Sequence, residues 1–162
     1  MSMRLIATCA AVAAVAGLIA WHVLFRTGPV EQVIRETASA LERELPESVL
    51  ANLADTFDDG HHTSKSEVAV LLAEAFRRYD NIRILFDHID IIEGRAAAEA
   101  DVSFRVLLSY QGVRGMALGS LQNPERVLLV LEKDDTGKLR IRSLKGLGKL
   151  APLVQGKRRP TP

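Results

Sequence analysis

The chain has 162 residues, enough for one domain of ordinary size and too few for a second of comparable weight. Hydrophobic residues at 48% and charged residues at 25% exclude a disordered chain, while 5% aromatics and a single cysteine argue against a base-stacking surface and a disulfide scaffold. A formal net charge of +1 provides no overall field that would select nucleic acid.

The charge is unevenly placed. Residues 1–26 carry two bases and no acid, residues 27–144 fourteen bases against twenty acids, and residues 145–162 five bases and no acid. The middle is therefore acidic between basic ends, which suits a tail near anionic lipid and equally suits a tail that is merely solvated.

The run from Leu5 to Phe25 contains no charged residue and is bracketed by Arg4 and Arg26. As a helix its 21 residues span about 31 Å, close to the hydrocarbon thickness of a bilayer. A removable signal peptide has a shorter apolar core. Ala14-Val15-Ala16 offers a cleavage site, but the run continues past it through Leu18, Ile19, Val23 and Leu24. Residues 1–26 are therefore expected to be an uncleaved transmembrane signal anchor, with Trp21, Arg4 and Arg26 at the membrane interfaces. Cys9 follows too few apolar residues to be a lipidation site and reads as a small apolar residue within that helix.

Gly28-Pro29 ends one element and starts another, with Pro29 suited to the first position of a helix. Val30, Val33, Ile34, Ala38 and Leu41 then share one helical face. Pro46 opens a second helical stretch through Val49, Leu50 and Leu53, predicted to end near Phe57 at Asp58-Asp59-Gly60. Ser64-Lys65-Ser66-Glu67 is a capping box, and Val68, Leu71, Leu72, Ala75, Phe76 and Tyr79 follow it as a stripe expected to face a core.

From Asn81 the period changes to 2. Ile82 to Ile92 and Ala98 to Tyr110 read as two long strands joined at Glu93-Gly94-Arg95, and Val113 to Leu118 as a short or bulged strand among Gly112, Gly115 and Gly119. Val127 to Leu131 and Leu139 to Leu144 close the set around Asp134-Asp135-Thr136-Gly137. Arg105, opposite the apolar face of its strand, reads as solvated. Residues 146–162 form a basic tail without periodicity. The layout is α+β: a transmembrane helix, then three helices packed on a curved antiparallel sheet.

The segment Phe57-Asp58-Asp59-Gly60 feeding a capped helix from Ser64 to Tyr79, the junction Arg78-Tyr79-Asp80-Asn81-Ile82-Arg83 and the closing hairpin Val127 to Leu144 carry a family resemblance. Over residues 29–145 the chain resembles the nuclear-transport-factor-2-like superfamily, and more narrowly its bacterial members with an N-terminal membrane segment. The resemblance implies an α-β cone with an apolar cavity at its open end, lined here by Leu72, Phe76, Tyr79, Phe86, Phe104 and Val106. Superfamily members include ketosteroid isomerases, scytalone dehydratases, polyketide cyclases, adaptors and periplasmic domains of secretion assembly factors, so fold alone does not choose a function.

Enzymes of this shape need an acid or base reaching the cavity. The candidates are His88 with Asp90, two residues apart on the first long strand, and Tyr79. If Ile82, Ile84 and Phe86 point inward, His88 and Asp90 share that face; if Ile89 and Ile91 do, the pair lies in solvent. His61-His62 with Asp58 and Asp59 has some metal-ligand character, but adjacent histidines rarely converge and no further spaced ligand follows, so a solvated loop is the better reading and no metal or cofactor is expected. No phosphate loop, Gly-x-Ser-x-Gly or Cys-x-x-Cys occurs.

The expected function is that of a non-enzymatic envelope domain binding a protein partner or a small apolar ligand, with an enzyme or carrier for an apolar substrate as the alternative. The expected location is the bacterial inner membrane, single-pass through residues 5–25, with the domain on the periplasmic side and no nucleic-acid partner. Leu107, Leu128 and Val130 lie on the outer sheet face, to be covered by a second copy in a homodimer, an envelope protein, or tail residues Leu147, Leu150, Leu153 and Val154.

Overall fold

A computed structural model describes residues 28–146. The elements run α1 (Pro29–Glu42), α2 (Pro46–Ala51), β1 (Leu53–Asp58), α3 (Lys65–Arg78), β2 (Asp80–Glu93), β3 (Ala97–Tyr110), β4 (Val113–Leu118), β5 (Glu125–Lys133) and β6 (Leu139–Lys145). The sheet order is β1-β6-β5-β3-β2, with β4 also paired to β3. Among the described residues no helix is long and apolar enough to cross a membrane. The run proposed as an anchor, with Trp21, Arg4 and Arg26, and the tail beyond Gly146 lie outside the described residues.

Both early helices open on proline, as the sequence predicts. The second is shorter than expected. It stops at Ala51, and Leu53 to Asp58 form a strand that the helical reading missed. Leu53 and Phe57 are buried four residues apart, and a spacing of four satisfies a helical face and a strand face equally. What separates the two is Asn52. Its buried side chain donates through Nδ2 to Thr37 Oγ1 on α1 at 3.0 Å, and its carbonyl accepts from the Ile141 amide on β6 at 2.8 Å. The helix therefore ends where the residue that caps it, Asn52, is recruited to the sheet through β6. Because β1 pairs with β6 in parallel, the sheet is mixed and not antiparallel throughout.

The sheet encloses the core. Val30, Val33 and Ile34 of α1 pack against Ala98, Ala100 and Val102 of β3, Val127, Leu129 and Leu131 of β5, and Ile141 of β6. Ala100 and Leu131 have no exposed surface at all. By contrast, α3 buries none of its residues completely. Its capping box forms as predicted: the Glu67 amide donates to Ser64 Oγ, and the Ser64 amide donates to Glu67 Oε2 at 2.7 Å. With so little packing behind it, α3 depends on this cap more than α1 does. Ser64→Ala should lower stability by about 1 kcal/mol, read as an earlier urea midpoint with an unchanged slope.

Strands β2 and β3 make a long hairpin closed at Gly94, whose amide donates to the Ala97 carbonyl at 2.9 Å. A side chain on Gly94 would place its Cβ 2.7 Å from that carbonyl, so the turn requires glycine. The register slips between Phe86 and His88, leaving Asp87 as an extra residue. Ile82, Ile84 and Phe86 therefore face inward before the bulge, and Ile89 and Ile91 after it.

β3 serves two partners in succession, β5 along Ala97 to Phe104 and β4 along Val106 to Tyr110. Arg105 stands at the fork. It is not solvated as the sequence suggests. Its guanidinium bonds Asp87 Oδ1 at 2.6 Å and the carbonyls of Ser120 and Leu121 at 2.8 and 3.2 Å, tying the bulge to the β4–β5 connection. On the outer face, Leu107, Leu128 and Val130 are half-buried among ion pairs such as Asp101–Arg126 and Glu132–Arg142.

Candidate functional site

Because α3 crosses the concave side of the sheet without packing tightly on it, a cavity of about 380 Å³ remains between them. Apolar side chains from every layer wall it: Val68, Leu71, Leu72 and Ala75 from α3, Ile34, Ala38 and Leu41 from α1, and Ile84, Phe86, Phe104, Val106 and Leu129 from the sheet. Of the side chains the resemblance implied for this lining, Leu72, Tyr79, Phe86, Phe104 and Val106 belong to it. Phe76 does not. At 100° per residue it sits about 80° around the helix from Val68, beyond the edge of the face that the cavity sees.

The polar groups of the lining are few: Thr37, Asp59, His61, Thr63 and Tyr79. Three of them come from one loop. β1 ends at Asp58 and α3 begins after Ser64, and the loop between them borders the cavity. Asp58 Oδ1 accepts the Gly60 amide at 2.8 Å, while Asp59 Oδ1 accepts the amides of His61 at 2.8 Å and Thr63 at 3.0 Å. Partial burial pushes the Asp59 carboxyl up. The hydrogen bonds from Thr63 and His61 and the nearby imidazole outweigh that, so its pKa lies below the ordinary value and the group is a carboxylate near neutral pH. Adjacent His62 has a positive φ of 68° and does not join the lining, whereas His61 does. Among the described residues no three metal-ligating side chains converge.

Tyr79 ends α3 and lines both this cavity and a second space of about 360 Å³ bounded by Tyr110, Val113 and Met116. Its ring lies 5.9 Å from that of Tyr110. His88 and Asp90 are elsewhere. Their side chains are 70% and 76% exposed on the outer side of the sheet, Nε2 to Oδ2 3.8 Å apart, and neither reaches the cavity. The bulge at Asp87 is the physical reason, since it restores the alternation one residue late and turns His88 outward.

The sequence marks Asp59 and His61 only as part of a loop with metal-ligand character, together with Asp58 and His62, and does not single out Thr63 at all. The missed strand hid them: with β1 read as helix, nothing indicated that the loop after it borders the open side of the sheet.

A comparison with protein-family models finds no match, and a comparison with curated proteins finds none either. Solved structures do match. A candidate scytalone dehydratase from Novosphingobium aromaticivorans is 13% identical with a TM-score of 0.61, over 72% of this chain and 78% of that one. A ketosteroid isomerase-like protein from Erwinia carotovora is 15% identical with a TM-score of 0.55, over 71% and 89%. A protein of unknown function from Mycobacterium tuberculosis is 12% identical with a TM-score of 0.61, over 72% of each chain. The fold is thus an α+β cone with a curved mixed sheet. It is the fold these solved structures share, the scytalone dehydratase-like and ketosteroid isomerase-like proteins among them.

Proposed function

We propose that the chain is a membrane-tethered domain that takes a small apolar ligand into the cone cavity. The observation that supports this reading is the cavity: about 380 Å³ walled by apolar side chains, with its polar groups concentrated on the loop from Asp59 to Thr63 and at Tyr79. Space of that size and lining suits a compact organic molecule oriented by a few polar contacts. The charge-free run of residues 5–25 is the proposed tether, with the domain on the periplasmic side of a bacterial inner membrane.

A second reading is favoured by one specific feature. Asp59 and His61 share the lining with Tyr79, which places a carboxylate, an imidazole and a phenol where a general acid or base would stand. In that case the bound molecule is a substrate.

Native mass spectrometry of the full-length chain released from detergent tests the first reading. A retained non-covalent small molecule is the expected result. If incubation with that molecule yields a product, and Asp59→Ala abolishes the yield, catalysis replaces binding as the function. A cavity that takes up no apolar compound at all removes both readings.

A further inference from the structure

We propose that the cavity admits uncharged or cationic apolar molecules and rejects organic anions, with Asp59 as the residue that sets this choice. The inference rests on the ligand-binding reading above and adds the charge class of the ligand. Among the described residues the lining contains one carboxylate and neither lysine nor arginine. Two bases come near without joining it, and both are committed. Arg35 lies over the Phe86 ring at 5.5 Å while its guanidinium is held 2.7 Å from Glu31, and Lys65 bonds Asp55 at 2.9 Å and the Leu53 carbonyl at 3.0 Å.

The hydroxyl protons of the lining threonines are also occupied. Thr37 donates to the Val33 carbonyl at 2.7 Å, and the Thr63 hydroxyl bonds the Asp59 carboxylate. An anionic head group entering this space would lose its water, meet no lysine or arginine, and face the Asp59 carboxylate, to which the one imidazole of the described lining, His61, is already an electrostatic neighbour. Each of these opposes binding. A hydroxyl or ammonium head group meets the opposite situation. It brings protons to a carboxylate whose Oδ1 is already fixed in place by two backbone amides.

Three naphthalene derivatives of one shape separate the possibilities: 2-naphthalenemethanol, 2-naphthylmethylamine and 2-naphthoate. Each is titrated calorimetrically at pH 7.5 into the full-length chain held in amphipol, with empty amphipol subtracted. The alcohol and the amine are expected to bind, and the carboxylate to bind more weakly by about tenfold or more. Asp59→Asn keeps the oxygen that accepts the loop amides and removes the charge. It should bring the carboxylate to within about threefold of the alcohol and weaken the amine.

If naphthoate binds wild type as well as the alcohol does, charge selection is overturned while the cavity reading stands. If Asp59→Asn leaves the gap unchanged, the role given to Asp59 is overturned. If neither alcohol nor amine binds, the ligand-binding reading fails and this inference with it. Should Asp59→Asn not fold, the ranking of the three compounds on wild type still decides.

Discussion

Leu131→Ala should lower the stability of the domain by about 3 kcal/mol, a fall in melting temperature of roughly 10–15 °C for a domain of this size. Leu131 has no exposed surface and lies in register with Ala98 on one side and Ile141 on the other. Ala98 and Ala100 beside it carry single methyl groups and have nothing with which to fill a gap, so the void left by truncation persists. Leu72 makes the informative comparison. It is also apolar and equally large, but it lines the open space under α3 and is only half-buried. Leu72→Ala enlarges a space that already exists and should cost about 1 kcal/mol, the transfer term alone. Urea or thermal unfolding of the two variants measures the difference. Equal losses would mean that α3 is packed as firmly as the sheet, which is incompatible with the cavity.

The capped helix and the long hairpin were legible in sequence because each carries a local signal: a capping box, and a period of 2 over many residues. The points that decide the site are not local. Leu53 and Phe57 satisfy helix and strand at once, and only the long-range bonds from Asn52 to Thr37 and from Ile141 to Asn52 choose between them. In β2 the two incompatible inward faces, Ile82-Ile84-Phe86 and Ile89-Ile91, are both real. A one-residue bulge joins them, and Asp87 was not marked as the extra residue by anything in its own type. The same residue explains Arg105, whose apparent solvent position becomes a junction once Asp87 and the Ser120 and Leu121 carbonyls surround it. Asp59 and His61 acquire meaning only when β1 carries them to the edge of the cavity. The family resemblance implied the apolar walls and Tyr79, and tertiary structure located the polar groups of the loop among them.

Ala75→Phe is expected to abolish most ligand binding while leaving the fold intact. Ala75 is in the third turn of α3, on the stripe with Leu71 and Leu72 that lines the cavity, and a benzyl group there has open space in front of it. The added ring would displace roughly 100 Å² of apolar contact from any occupant, about 2.5 kcal/mol at 25 cal/mol per Å², or somewhat under a hundredfold in affinity. Stability should hold or rise slightly, because the ring gains contacts with Phe86 or Phe104 in place of an unfilled volume. This combination distinguishes a binding cavity from a packing defect. Titration of 2-naphthalenemethanol into Ala75→Phe, beside its urea midpoint, gives both quantities. Lost binding with a preserved midpoint assigns the ligand to the space under α3. Unchanged binding would place it elsewhere, with the pocket beyond Tyr79, against Tyr110 and Met116, the next position to test by the same substitution at Gly115.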